Sequence, residues 1–148
     1  PNHFIAPNRE SAKALDSTLK KVGIEYMTTA KLRHYPLGAE KYRFDFNWMG
    51  KRNKKLNQIY LTRNCSFEPS FTNIDYVDSC LKEVEIAFSW RKPAIISSHR
   101  VNYISSINPE NANDCLKKFR MFLSLVIKKW PKVEFMTSTE LGMIIAKK

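Results

Sequence analysis

Residues 3–28 read HFIAPNRESAKALDSTLKKVGIEYMT, and their punctuation decides the fold class. The apolar run His3-Phe4-Ile5-Ala6 closes at Pro7-Asn8, and Asn8 carries the side chain of a helix N-cap. From Arg9 to Val22 the apolar positions Ala12, Leu15, Leu19 and Val22 fall at helical spacing, and Gly23 stands where a helix takes its C′ glycine. Ile24 to Thr28 reads as a second strand. A strand, a helix and a strand joined by such short links predict a parallel crossover unit.

Downstream, residues 41–48 alternate strictly, with Tyr42, Phe44, Phe46 and Trp48 on one face and Arg43, Asp45 and Asn47 on the other. Gln58 to Thr62 is β-rich, so residues 41–62 are expected to form a hairpin inserted between two α/β units. Its aromatic face is suited to stacking on sugars, but covering a core is the expected use. Ile74, Val77, Leu81, Val84 and Phe88 mark one face of a helix running to about Trp90. The compact run Pro93-Ala94-Ile95-Ile96-Ser97-Ser98 predicts a buried strand. Asn108-Pro109 opens a long helix whose stripe includes Ala112, Cys115, Phe119, Phe122, Val126 and Trp130. Val133 to Met136 is expected to be the last strand, and Thr137-Ser138-Thr139-Glu140 matches a capping box for a final helix. This alternation predicts a mostly parallel α/β sheet in one domain, 1–148.

With 148 residues, 43% of them apolar and 26% charged, the chain is long enough for a hydrophobic core without disulfide or metal staples. Cys65, Cys80 and Cys115 form no C-x-x-C pair and share no metal-ligand spacing with histidine, which excludes zinc fingers and disulfide scaffolds. No apolar stretch approaches the ~20 residues of a membrane span, and no charged-then-apolar leader opens the chain. The chain is expected to be soluble, and its opening on Pro1 reads as a trimmed or processed product. The net charge of +11 is local: residues 1–63 hold thirteen basic and five acidic side chains, against twelve and nine in 64–148. The densest point, Lys51-Arg52-Asn53-Lys54-Lys55, reads first as a wetted hairpin tip. Nucleic-acid binding has only this charge behind it, since finger spacing, RNP aromatics and a KH-type loop do not occur.

In parallel α/β folds chemistry gathers beyond the carboxyl ends of the strands, which selects Ala6-Pro7-Asn8, Arg63 to Glu68 and Ser97 to Asn102. His99 is the first catalytic candidate, because an imidazole just past an apolar strand is held by the scaffold and free to exchange a proton. A structural role for His99 and Arg100, bonding carbonyls at the sheet end, stands beside it. Glu68 is the nearest acidic partner in sequence, and Asn64 and Asn102 are candidates for holding hydroxyls. Cys65, in a polar stretch, is a weaker nucleophile candidate. A G-x-S-x-G elbow, a P-loop and a G-x-G-x-x-G turn do not occur. His3 and His34 complete no metal triad with His99.

Five segments, His3 to Asn8, Gly23 to Tyr26, Arg63 to Ser70, Pro93 to Tyr103 and Trp130 to Met136, carry a resemblance that spans nearly the whole chain. Together the set resembles the carboxyl-terminal portion of bacterial polysaccharide-deacetylase-like proteins of the glycoside hydrolase/deacetylase superfamily. The resemblance implies part of an irregular (β/α) barrel with an inserted hairpin, acting on or binding bacterial glycans. Such enzymes are hydrolases that remove N-acetyl or O-acetyl groups. In complete relatives a divalent metal such as zinc, held by an aspartate and two histidines, activates water. A second aspartate acts as base and a late histidine as acid.

His99 resembles that late histidine, and Arg100 stands where an acidic residue often follows it. The catalytic set so implied is His99, Arg100 and Glu68; Pro7, Asn8, Asn64, Asn102 and Trp48 would contact substrate. The paired aspartates and the H-x-x-x-H-type pair are not among these 148 residues, so no metal or other cofactor is expected in this chain and it should be inactive alone. An open portion of a barrel would expose sheet edges, so a homodimer or a complementary fragment is expected to cover them. The alternatives are a noncatalytic module for anionic glycans, using Lys51 to Lys55 and the aromatic hairpin, and a nucleic-acid-binding domain. Secretion or a periplasmic location would suit a complete relative.

Overall fold

The computed structural model describes residues 2–147 except 7–10, 40, 72, 105 and 107. Its contacts divide the chain into two compact units, Pro1–Arg63 with Met136–Lys148, and Asn64–Phe135. Among the described residues no helix is long and apolar enough to cross a membrane.

In the first unit β1 (His3–Ile5), α1 (Leu15–Lys21) and β2 (Tyr26–Thr29) follow one another in the expected order, with β1 and β2 parallel and Phe4 opposite Met27, but residues 11–14, expected within the helix, are coil and turn, and Ala14 holds the cap position. Asn8, the expected cap, lies outside the described residues. Gly23 adopts φ +89° just after the helix, a conformation that side chains other than glycine's rarely take. The apolar face of α1 then packs Leu19 with Ile24, Met27 and Tyr60, and Phe4 and Leu15 close the cluster.

The expected 41–62 hairpin is replaced by two separate ones. β3 (Leu32–Gly38) and β4 (Lys41–Phe46) pair antiparallel as their own two-stranded sheet, joined through Gly38 at φ +86°. β5 (Arg52–Asn53) and β6 (Gln58–Thr62) pair antiparallel, while β6 also runs parallel to β2. The resulting sheet has the order β1-β2-β6-β5. Pro36 conceals β3 from a periodicity reading, but it occupies a strand with only one partner, where a missing N–H is tolerated.

Nor do the aromatics of the ribbon cover a core. Tyr42, Phe44, Phe46 and Trp48 are 47–62% exposed; Tyr42 and Phe44 lie edge-on to His34, and Phe46 lies 6.4 Å from Trp48. A buried ion pair anchors the ribbon instead. Arg33 on β3 grips Asp16 on α1 through Nη2–Oδ1 at 2.7 Å and Nη1–Oδ2 at 3.2 Å, with both side chains at most 2% exposed. Arg33 Nη2 also donates to Ser11 Oγ, so the desolvated charges are each met by several bonds.

The expected capping box stands at Thr137 and Glu140, and the final helix that it opens, Ser138–Ala146, lies over the sheet with Gly142 against the Tyr26 ring. Val133 to Met136, the expected last strand, is irregular and mostly exposed, and it joins no ladder among the described residues.

The second unit holds β7 (Cys65–Ser66), α2 (Tyr76–Ser89), β8 (Ile96–Ser97), a 3-10 turn (Arg100–Tyr103) and α3 (Pro109–Lys129). Asp75 caps α2 and Asn108 caps α3, with Pro109 in the first turn. Cys65, Phe67, Val77, Cys80, Val84, Phe122 and Val126 form its core. Ile95 and Ile96 are half-buried, and the expected long buried strand is reduced to Ile96–Ser97, paired in parallel with Cys65–Ser66. The whole is mixed α/β, with sheets of four, two and two strands and none closed into a barrel.

The close approach at Gly142 gives a direct test of the first unit. A Cβ built there would lie 2.5 Å from two ring carbons of Tyr26, a buried residue on the central strand β2. Gly142→Ala should therefore destabilise by about 1–3 kcal/mol in thermal or urea unfolding, despite alanine's better helix propensity. Unchanged or increased stability would show that the helix does not seat on Tyr26.

Candidate active site

The site of the second unit begins with one asparagine. Asn64 donates from Nδ2 to the Pro93 carbonyl at 2.9 Å and accepts from the Ile95 N–H at 2.7 Å, clasping the approach to β8 against the start of β7. The strands then pair with Cys65 opposite Ile96 and Ser66 opposite Ser97, and Phe67 N–H continues the ladder to Ser97 O at 2.8 Å. Two residues beyond each strand, the same register brings Glu68 and His99 side by side at the carboxyl ends. Phe67, fully buried and 5.1 Å from the Phe122 ring centroid, fixes the chain there. Lys118 from α3 donates to the Pro69 carbonyl at 3.2 Å and holds the next residue.

His99 Nδ1 lies 2.7 Å from Glu68 Oε1, a distance at which an ionised carboxylate accepts from Nδ1–H. The other carboxylate oxygen, Oε2, accepts from Asn102 Nδ2 at 2.8 Å and from the His99 N–H at 3.3 Å. Glu68 is thus a nearly buried anion with three donors, while its partner His99 is exposed: the side-chain values are 9% and 61%. His99 Nε2 makes no hydrogen bond among the described residues. The imidazole is consequently oriented from behind and open in front, the arrangement that an acid or base needs to reach a reacting group.

Asn102 is the keystone of the support. The 3-10 turn carries it back beneath His99, where it is completely buried. Besides Glu68, its amide donates to the His99 carbonyl at 2.9 Å, and its Oδ1 accepts from Ser70 Oγ at 2.5 Å. Ser98 Oγ and Tyr103 OH meet at 2.8 Å beside it; burial pushes the Tyr103 phenol above its usual range, against the lowering effect of Ser98, so the group remains a hydroxyl.

Of the sequence candidates, His99, Glu68 and Asn102 come together in one network. Asn64 stands at the start of the strands, where its side-chain amide bonds the Pro93 and Ile95 backbone. Arg100, at the start of the 3-10 turn, is exposed, and among the described residues it bonds to neither member of the pair. Trp48 belongs to the first unit, where its exposed indole lies under Lys51 Nζ at 5.0 Å. Pro7 and Asn8 lie outside the described residues. Ser98 lay in a selected stretch without a role of its own, and Ser70, Tyr103 and Lys118 were not candidates; Ser70 and Lys118 act through contacts distant in sequence.

The remaining nucleophile and ligand candidates are used structurally. His3 Nε2 meets Thr28 Oγ1 at 2.7 Å between β1 and β2, and burial with the Arg63 charge lowers its pKa. His34 packs edge-on to Phe44 at 4.8 Å. Cys65 lies in the core rather than in a polar loop. Among the described residues no three His, Cys, Asp or Glu side chains gather as a metal shell. No family model, curated protein or solved structure matches the chain.

The thiols provide a check on this unit. All three are at most 2% exposed, and burial, with Cys65 and Glu83 nearby, pushes the Cys80 thiol up to about 12. Burial also raises Cys115. A disulfide reagent added to the folded protein at neutral pH should therefore modify none of the three rapidly and all of them after denaturation. One fast-reacting thiol in the native state would contradict the packing of Cys65.

Proposed function

We propose that the second unit supplies the acid side of a carbohydrate-deacetylase-like hydrolase acting on acetylated glycans. The observation that carries this reading is the Glu68–His99 pair beyond the carboxyl ends of two adjacent parallel strands, with a buried carboxylate behind an exposed imidazole. It agrees with the family resemblance of the Pro93 to Tyr103 segment, in which His99 corresponds to the late histidine. The short parallel pair β7–β8 is also the kind of element from which an irregular barrel is assembled.

In this reading Glu68 holds Nδ1–H and stabilises the charged imidazolium. Nε2–H gives its proton to the leaving nitrogen or oxygen of the acetyl group's amide or ester as that bond breaks. Acetate departs with the oxygen of the attacking water, and the glycan retains a free amine or hydroxyl. Asn102 touches neither proton nor substrate; it fixes the angle at which Glu68 meets the ring. The family's paired aspartates and metal-binding histidine pair are not among these 148 residues, so the reading concerns proton delivery only.

The experiment is acetate release from N-acetylated chito-oligosaccharides and acetylated xylan by the full-length protein and its variants. His99→Ala should lower kcat by about 100-fold or more, within the ~10²–10⁴ typical of a general acid. Glu68→Gln, which keeps the shape but removes the charge, should lower kcat with little change in KM and alter the pH profile. Activity untouched by His99→Ala would end the assignment.

A further inference from the structure

The basic run at 51–55 has a place in the first unit that the hydrolase reading does not use. A cleft of about 470 Å³ opens between α1, the end of β4 and the β5–β6 hairpin, within the ~300–1,000 Å³ of small-molecule sites. Lys51, Arg52, Lys54 and Lys55 line it, and Asn47 and Tyr60 are also in its wall.

The acidic groups present are already satisfied. Asp16 is held by Arg33. For Asp45 the cost of burial is outweighed by Lys13 at 3.0 Å, with Arg43 and Lys51 adding to it, and its pKa is lowered. The four cations of the run pair with no carboxylate among the described residues: Lys51 Nζ bonds the Phe46 carbonyl at 2.6 Å, and Arg52 bonds the Ala146 carbonyl at 3.1 Å. Lys54 and Lys55 are exposed.

A second, independent observation concerns the wall. Asn47 is 1% exposed, and its amide nitrogen reaches Thr29 Oγ1, but its carbonyl oxygen has no hydrogen-bond partner among the described residues. A buried acceptor without a donor is a cost that folding ordinarily avoids, and a ligand hydroxyl would remove it. Tyr60 adds a phenol whose proton burial retains, with Asn53 Nδ2 donating to its oxygen at 3.4 Å.

We propose that this cleft binds a small anionic sugar, a hydroxylated ring bearing a carboxylate or phosphate, with Lys54 and Lys55 meeting the anion and Asn47 accepting from a hydroxyl. Charge alone would suit any anion, but the unpaired acceptor asks for a donor. The small-molecule-sized cleft favours one sugar over a strand of nucleic acid, which tracks an extended groove with stacking aromatics. The exposed aromatic face of the β3–β4 ribbon takes no part, and the inference stands or falls independently of the His99 site.

The test is an NMR titration of the chain with glucuronate and glucose 6-phosphate, against glucose, inorganic phosphate and a single-stranded oligonucleotide. One or both anionic sugars should bind saturably, shift the Asn47, Lys54 and Lys55 amides, and bind at least about tenfold more tightly than glucose or phosphate. The Lys54→Glu/Lys55→Glu variant, altered only at exposed positions, should weaken that binding by about tenfold or more with an unchanged melting temperature. In Asn47→Ala the preference over inorganic phosphate should shrink. Equal binding of phosphate, tighter binding of the oligonucleotide, insensitivity to the charge reversal, or no saturable sugar binding would each overturn the proposal.

Discussion

The second unit depends on the register of two very short parallel strands. A shift of one residue between Cys65–Ser66 and Ile96–Ser97 would put Phe67 or Pro69 opposite His99 and leave Glu68 as a buried carboxylate without its donors. Two residues of strand on each side are too few to fix such a register through ladder bonds alone. Asn64 sets it from one end by clasping the Pro93 and Ile95 backbone, and Asn102 sets it from the other by joining Glu68 to the His99 carbonyl. Between them Phe67 enters the core, so side-chain bonds and apolar packing specify the same alignment.

Each unit contains a carboxylate withdrawn from water, and the contrast between the two separates structure from chemistry. Asp16 is paired with an arginine as deeply buried as itself, which also donates to Ser11. That pair has no open side and serves to dock the β3–β4 ribbon on α1. Glu68 is equally well supplied with donors, yet one of them, His99, is exposed on its far side. Desolvation fixes the carboxylate, the carboxylate fixes the ring, and the ring carries the connection out to solvent.

Local signals in the sequence were sufficient for two of the helix starts. Asn108-Pro109 and the Thr137–Glu140 box are capping chemistry confined to four residues, and both stand in the structure as read. The β1–α1–β2 crossover was legible because its apolar spacing and Gly23 agree. β3 was missed because Pro36 and Gly38 look like a turn, and without β3 the aromatic strand had no correct partner. Val133 to Met136 has strand-like composition but no ladder to join. For the site, His99, Glu68 and Asn102 were identified by type and position, but their meeting depends on a register across some thirty residues that no local pattern encodes. The clasp made by Asn64 was hidden for the same reason, since its backbone partners at 93–95 become neighbours only after folding.

The account rests on Glu68 fixing the state of the His99 ring, which long-range 1H–15N NMR of the imidazole reads directly. At a pH where the ring is neutral, the native protein should show His99 protonated at Nδ1 and bare at Nε2, and Glu68→Gln should disturb that preference. A native ring protonated at Nε2, unchanged by the substitution, would contradict the account.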